Sequence, residues 1–546
     1  MQLRITNLQQ LKNKTFDVLV LGGGINGAVS AAALSARGLN VALIDQRDFA
    51  GFTSQQSSNL AWGGIKYMET LEFPLVRKLC MSRNLLMRSY PSTVQEIRFF
   101  TAIKKGFRFH PLFLYMGTIF YWLIGNGFTR FPKFVSADTI AEEEKIINTE
   151  NCSGGFEYSD AYLHDTDARF VFNFIRSGMN YGCIAANYVQ SEGAEFKDGF
   201  WLTRAKNLIE GDSFTIKSRV LINACGPFAD FHNEKTREQT RHHHVFSKGI
   251  HLIVDRLTPN QRVLTFFAND GRLFFVIPMG PRTCIGTTDT RTESPYSEVT
   301  SEDRQFVLEN INARLKLEKP VTERDIVAER CGVRPLVIAK NSEKNSDWVQ
   351  LSRKHAIDAN KDQNHISIFG GKLTDCLNVG EEVCDLVEEM GLRIPYPGRK
   401  WFGEPPDEVR DEFFHQARLM DLDSLTDCTS SEPLSIRFWR RYGANAFELL
   451  EAIRENPEQA KLLIENAEYT RCEIGLAARR EMITKLDDFL RRRSKIALVV
   501  SKEEIKNSEG LYKACQIFFG DQAQQKWEEY FQEPLYSTRA GQTGVK

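Results

Sequence analysis

Gly22, Gly23, Gly24 and Gly27 follow the apolar run Phe16 to Leu21 and precede an alanine-rich segment, and their G-x-G-x-x-G spacing suits a diphosphate. Gly22 permits a tight strand-to-helix turn, Gly24 lets pyrophosphate approach the backbone, and Gly27 lets the helix pack closely. Asn26 lies inside the same turn. The anion would rest on the helix N-terminus, where unpaired N–H groups and the helix dipole both favour it. Asp45 stands eighteen residues beyond Gly27, at the end of the next strand, where a carboxylate can accept ribose hydroxyls. The chemistry implied is dinucleotide binding, and this fingerprint alone does not separate FAD from NAD.

The elements that must position these residues are legible around them. Phe16 to Leu21 reads as a buried parallel strand, the helix runs from the glycines through Ala36, and Arg37 and Gly38 stop it. Asn40 to Ile44 supplies the second strand of a β-α-β unit. Further strands are expected at Val220 to Asn223, Leu273 to Ile277, Thr283 to Ile285 and His365 to Phe369. The long mixed segments between them predict a discontinuous dinucleotide domain with an inserted substrate domain, together spanning 1–400. Residues 401–433 read as a linker, and 434–546 as a mainly helical C-terminal domain with apolar residues at three and four residue spacing. Two later glycine turns lean toward FAD: Asn223 to Pro227, containing Gly226, which resembles the second nucleotide-side motif of many flavoproteins, and Ile368 to Thr374. In the second, Gly370, Gly371, Lys372, Leu373 and Thr374 place backbone N–H groups where flavin pyrimidine oxygens can be held.

A formal net charge of -1 removes any composition-level argument for a nucleic acid partner. The eleven cysteines are odd in number and include no C-x-x-C pair, so neither a disulfide framework nor a zinc module is expected and a reducing, cytoplasmic setting is. Met1 to Thr15 lacks the apolar core of a secretory signal. No metal site is expected: His242, His243 and His244 are consecutive, point in different directions, and read as a solvated loop. The Arg491 to Arg493 run reads as a solvated helix face paired with Asp487 and Asp488. Pro111 to Thr129 carries no charged residue and is flanked by Lys104, Lys105, Arg108, Arg130 and Lys133. Its strongest run, Leu112 to Ile124, falls short of the about 20 apolar residues a spanning helix needs. Two readings stand side by side: a helix resting on an anionic membrane face, and a helix buried in the substrate domain.

Several strings, in this order, resemble the FAD-dependent glycerol-3-phosphate dehydrogenases: VLGGGINGA at 20–28, TSQQSSNLAWGGIKYMETLEF at 53–73, GGFEYSDAY at 154–162, SKGIHLIV at 247–254, FFVIPM at 274–279, IGTTDT at 285–290, CGVRPL at 331–336 and FGGKLTD at 369–375. The resemblance implies an α/β fold with an α+β substrate domain, the FAD-binding Rossmann-like domain being of the D-amino-acid-oxidase-like type with the substrate domain interleaved. It implies oxidation of glycerol 3-phosphate to dihydroxyacetone phosphate by hydride transfer to flavin N5, with quinone as electron acceptor. It places His251 as the base, Arg334 on the substrate phosphate, and Lys372 beside flavin and substrate. Lys66 and Tyr67 fall on the first substrate loop, and Ser57 and Ser58 on the flavin loop. It further implies a peripheral position on the inner face of the cytoplasmic membrane. A homodimer is compatible with the sequence.

Where that family reads H-G-G-x-R-Y, this chain has Trp62-Gly63-Gly64-Ile65-Lys66-Tyr67. Tryptophan cannot act as a base, so proton removal falls to His251. Lysine keeps the positive charge but loses the planar fork of arginine. Asp375 and Cys225 stand where threonines are usual. These departures leave two alternatives open: an FAD enzyme acting on another small hydroxy acid or amine, and a flavin-binding protein with low turnover.

Overall fold

The computed structural model describes residues 2–268, 271–340, 354–428, 430–464 and 467–532. Its first sheet is the dinucleotide scaffold, with strand order Ala356–Asn360, His365–Phe369, Ser213–Asn223, Thr15–Leu21, Val41–Ile44 and Ile184–Ala186. All neighbours in this order are parallel except Ala356–Asn360, which runs antiparallel to His365–Phe369. Thr15–Leu21 is buried on both faces from Val18 onward, which explains its near-continuous run of aliphatic residues. Leu21 lies opposite Asn223 on one side and Ile44 on the other. The three strands therefore end at one level, and their following turns share one crevice. The helices Ile25–Ala36, Asp167–Asn180 and Cys376–Glu389 cover one face and share its core.

The interleaved substrate domain is a second sheet of ten strands. Its long members are Val94–Lys104, Cys152–Leu163, His242–Asp255 and Ala328–Ala339, and the last two pair antiparallel from His242 opposite Ala339 to Ile253 opposite Ala328. The expected strands at Leu273 to Ile277 and Thr283 to Ile285 belong here, as Leu273–Met279 and Arg282–Gly286.

Three sequence expectations are corrected. Within 401–433, read as linker, Asp407–Leu419 is a helix whose Phe413 and Ala417 join the core of Phe438, Trp439, Leu449 and Leu450, so the helical domain starts earlier. The Arg491 to Arg493 run is buried, because its charges are compensated internally. Arg492 does pair with Asp487 and Asp488, but its Nε also donates to Asp48 at 2.6 Å. Arg493 forks onto both oxygens of Asp48 at 2.8 Å, and these pairs pin the C-terminal domain to the dinucleotide domain. The histidine triplet opens the strand His242–Asp255 and is half-buried or buried, not a solvated loop. Strand alternation sends His242 and His244 to one face, where both rings approach Phe369 and where His242 meets Asp358 at 2.8 Å and His244 meets Asp230 at 3.1 Å, and sends His243 to the other.

Pro111 to Ile124 forms a helix with only Pro111, Thr118 and Tyr121 buried. Leu112, Phe113, Met116, Phe120 and Leu123 are exposed, Phe113 to 63% and Leu123 to 56%, so the helix is not buried in the substrate domain. No helix among the described residues is long and apolar enough to cross a membrane.

Candidate active site

Steric necessity accounts for the glycine turn. A Cβ at Gly27 would lie 1.8 Å from the Gly22 carbonyl oxygen, and one at Gly22, whose φ is +98°, would lie 2.5 Å from the Ala224 carbonyl oxygen. Asp45 receives the Gly23 N–H at 2.6 Å and the Arg47 N–H at 2.8 Å. Burial raises its carboxyl to about 7 against the pull of those two donors. At the helix start the Ile25 N–H donates to Ser54 Oγ at 3.0 Å. Sequence reasoning missed Ser54; its only signal was a hydroxyl residue in the polar run between the second strand and Ser57.

Two distant turns close on this one. Ala224 N donates to the Leu21 carbonyl at 2.9 Å, which brings the Asn223 to Pro227 turn and Gly226 alongside Gly22. Asn26 Nδ2 donates to the Gly370 carbonyl at 2.9 Å, and a Cβ at Gly371 would lie 3.3 Å from Asn26 Oδ1. Gly370 N in turn donates to His244 Nε2 at 3.1 Å. Burial pushes the Cys225 thiol up to about 12, so that side chain sits in the crevice as a neutral thiol.

His251 lies opposite Arg330, Gly249 opposite Gly332 and Ser247 opposite Arg334, and strand alternation sets these residues on a common face. The two central glycines keep that face low. A Cβ at Gly249 would collide with the Arg334 guanidinium at 2.1 Å, and one at Gly332 would meet Gln56 at 2.8 Å. Arg334 donates to Thr287 Oγ1 at 3.1 Å and to Asp289 Oδ1 at 3.3 Å, which fixes its guanidinium beside the IGTTDT turn. Arg330, fully buried, donates to the Ser57 carbonyl and to Asn59 Oδ1, and so joins this face to the loop that carries Ser57 and Ser58. Ser58 is half-buried in the same loop.

His251 is 4% exposed, and among the described residues neither ring nitrogen has a hydrogen-bond partner. Burial, helped by the charges of Arg330 and Arg334, lowers its pKa to about 3, so the imidazole is neutral. Orphaned nitrogens cost free energy unless something occupies the space before them.

Gly64 with φ +80° starts the turn Ile65–Met68, which carries Lys66 and Tyr67. Lys372 Nζ lies 4.2 Å from the Tyr67 ring centroid and 5.9 Å from that of Trp62, within cation–π range. Thr374 Oγ1 donates to the Trp62 carbonyl at 3.3 Å, tying the FGGKLT turn to this loop. The structure therefore brings Lys372, Leu373, Thr374, Trp62 and Tyr67 together, with Lys66 half-buried on the same turn. Asp375 points away from these residues into its own network, pairing with His355 at 2.8 Å and accepting from Ser82 at 3.1 Å. Among the described residues no group of histidine, cysteine or carboxylate side chains could hold a metal.

The sequence profile of the FAD dependent oxidoreductases matches residues 17–349. The chain belongs to this family. A second profile, the C-terminal domain of alpha-glycerophosphate oxidase, matches residues 416–517. As an FAD-dependent oxidoreductase the chain is similar to the aerobic glycerol-3-phosphate dehydrogenase of Bacillus subtilis, with 27% identity over 511 residues, or 90% of this chain and 89% of that protein. A similarly named protein of Staphylococcus epidermidis is 27% identical over 503 residues, 89% of this chain and 88% of its own length. Among solved structures, the glycerol-3-phosphate dehydrogenase from Bacillus halodurans complexed with FAD superposes with a TM-score of 0.73 at 23% identity, covering 98% of this chain and 99% of that one. The L-alpha-glycerophosphate oxidase of Mycoplasma pneumoniae superposes with a TM-score of 0.53 at 16% identity, covering 72% of this chain and 99% of that one.

FAD is the cofactor of this family, and the residues present fit it. A diphosphate needs bare backbone at a helix start, and Gly22, Gly24 and Gly27 supply that where side chains would clash with the turn or crowd the anion. The glycine turn at Gly370 and Gly371 is held against it, and the orphaned imidazole of His251 lies in the neighbouring sheet face.

Proposed function

We propose that this chain oxidises glycerol 3-phosphate to dihydroxyacetone phosphate. Gly22, Gly24, Asn26, Gly27 and Asp45 would hold the dinucleotide part of FAD. Ser57, Ser58, Gly226 and Gly370 to Thr374 would hold the flavin side. When bound, FAD supplies a two-electron acceptor for the hydride of the secondary alcohol carbon. His251 takes the hydroxyl proton. Arg334, Lys66 and Lys372 form the cationic surround of the phosphate, and Tyr67 seats Lys372. A phosphate dianion among these groups offsets the smaller part of the depression of His251, that from Arg330 and Arg334, while burial remains the main cause and keeps the imidazole neutral and able to accept a proton.

The observation that carries this reading is the buried, neutral His251 with both ring nitrogens unpartnered, one strand away from Arg334. The names of the relatives support the same substrate. Trp62 and Lys66 favour a second reading, a different small hydroxy acid or amine on the same flavin. Anaerobic mixing of the flavin-loaded protein with glycerol 3-phosphate decides: rapid bleaching of the oxidised flavin band is expected. Absence of bleaching, with reduction by another hydroxy acid or an amine, would establish the second reading.

The outer side of the helix Pro111 to Ile124 supports membrane docking and a quinone as acceptor. Leu112, Phe113, Met116, Phe120 and Leu123 share one side, with exposed Phe131 and Phe134 in the segment that follows. Lys104, Lys105, Arg108, Arg130 and Lys133 are exposed around them, as an interfacial helix at an anionic surface requires.

A further inference from the structure

Asp160 lies within the strand Cys152–Leu163 and is completely buried. Its Oδ1 accepts from Arg83 Nη1 at 2.7 Å, from the Gly63 N–H at 3.1 Å and from the Tyr121 hydroxyl at 3.0 Å, while Oδ2 takes the same hydroxyl at 2.9 Å. These donors come from three elements. Arg83 belongs to the helix Phe73–Ser89, and Tyr121 lies on the inner side of the helix Pro111–Ile124. Gly63 belongs to the loop that carries Trp62, Lys66 and Tyr67. The fit is tight: a Cβ at Gly63 would stand 2.1 Å from the Tyr121 hydroxyl and 2.9 Å from Cys80 Sγ. Asn84, adjacent to Arg83, donates to the Gly125 carbonyl at 2.9 Å and fixes the far end of the second helix.

A buried ion pair contributes little stability that well-packed apolar side chains could not, so stability alone is a poor account of this node. Its distinctive product is geometric. The Gly63 N–H is a backbone donor in a loop of two adjacent glycines, whose chain is otherwise free to take several paths. Asp160 selects one of them. We propose that Asp160 is a positioning residue for substrate: through Gly63 it sets where Lys66 and Tyr67 stand relative to Lys372, and it does so without touching substrate itself. The inference rests on the glycerol 3-phosphate reading above.

Two variants test it in the full-length, flavin-loaded protein. Asp160→Asn keeps the shape and one acceptor oxygen. Tyr121→Phe removes only a hydroxyl and leaves the pairs with Arg83 and Gly63. Both should retain flavin and be reduced by dithionite like the wild type. The KM for glycerol 3-phosphate should rise roughly ten-fold in Asp160→Asn, the scale of one hydrogen bond to a charged group, and less in Tyr121→Phe. The maximal rate of flavin bleaching should change less than about two-fold, because a displaced binding loop weakens ground and transition states alike. An unchanged KM in both variants, or a fall in maximal rate at constant KM, overturns the proposal. If Asp160→Asn does not accumulate as folded protein, the pair Asp160→Asn with Arg83→Gln, which leaves no unpaired buried charge, takes its place with the same expected rise in KM. If the wild type is not bleached by glycerol 3-phosphate, it is the substrate reading that fails. The same variants are then titrated with inorganic phosphate, read through the flavin absorption band, and equal dissociation constants would overturn the positioning role.

Discussion

Asn26 donates to the carbonyl of Gly370 at 2.9 Å, although the two residues are 344 positions apart. This bond joins the helix proposed to receive the diphosphate to the turn proposed for the other end of the cofactor. Asn26→Ala should therefore loosen FAD without unfolding the sheet, since Asn26 is a buried donor whose loss leaves one carbonyl unsatisfied. A cost of about 1 to 2 kcal/mol corresponds to an affinity loss of roughly five-fold to thirty-fold. Flavin fluorescence released during gel filtration measures it, and full retention would place no demand on the bond.

His251→Gln should keep FAD bound and slow bleaching by glycerol 3-phosphate by about 10² to 10⁴, the usual contribution of a general base. Glutamine fills the buried space and offers hydrogen bonds but accepts no proton at neutral pH. Stopped-flow reduction of the variant is the measurement, and wild-type bleaching would remove His251 from the role of base.

The parts of this site that the sequence made legible are those fixed by sterics. Gly22, Gly24 and Gly27 announce a turn because a Cβ at two of them would overlap backbone, and the strand at His365 to Phe369 was readable as a short buried run ending in glycines. Other features depend on partners far along the chain, which local pattern does not encode. Arg493 reads as a surface charge until Asp48 is placed beside it, and Ser54 reads as a loop hydroxyl until the Ile25 N–H arrives. The long strands Val94–Lys104 and Cys152–Leu163 were missed for a related reason. Both carry charged residues inward, Arg98 to Glu157 and Asp160 to Arg83, which breaks the apolar alternation by which strands are recognised.

Acid should destabilise this protein above the range where exposed carboxylates titrate, because four buried histidines outweigh Asp45, whose carboxyl, raised to about 7 by burial, contributes stability in the opposite sense as pH falls. Burial lowers His251 and His365 to about 3, and His164 and His232 to about 4. Between about pH 6.5 and pH 4 the unfolded chain binds a proton at each while the folded chain does not, so stability falls as pH falls. A shift of the size at His164 or His232 is worth up to about 3 kcal/mol. His355 acts in the opposite sense. Burial alone would lower it, but hydrogen bonds to Asp375 and Glu382 raise it to about 9, so its contribution is complete below about 6.5 and is lost as pH rises through about 9. The melting temperature should peak near pH 6.5 and drop more steeply on the acid side. His365→Phe should flatten the acid limb and His355→Gln the alkaline one; parallel curves for variants and wild type would refute the assignment.

The helix Pro111 to Ile124 makes the remaining prediction, because its two sides do different work. The inner side meets Asp160 through Tyr121, and Asp160 in turn accepts from Gly63 of the loop that carries Lys66 and Tyr67. The outer side makes none of that network's hydrogen bonds, although Phe120 rests edge-on against Phe73 at 5.4 Å between ring centroids. Phe113→Ser with Phe120→Ser should therefore leave bleaching by glycerol 3-phosphate unchanged in buffer while weakening co-sedimentation with vesicles containing anionic lipid. Each phenylalanine removed from an apolar contact costs about 1.5 to 3 kcal/mol at full burial, so the pair should lower partitioning by at least roughly a hundred-fold if both rings enter the bilayer interface. Salt should weaken the binding of the wild type as well, because Lys104, Lys105 and Lys133 act through a surface potential that is screened within about 8 Å at physiological ionic strength. Co-sedimentation that ignores both the substitutions and the salt would mean that another surface carries the protein to the membrane. No co-sedimentation of the wild type would mean that the apolar side serves a partner other than lipid.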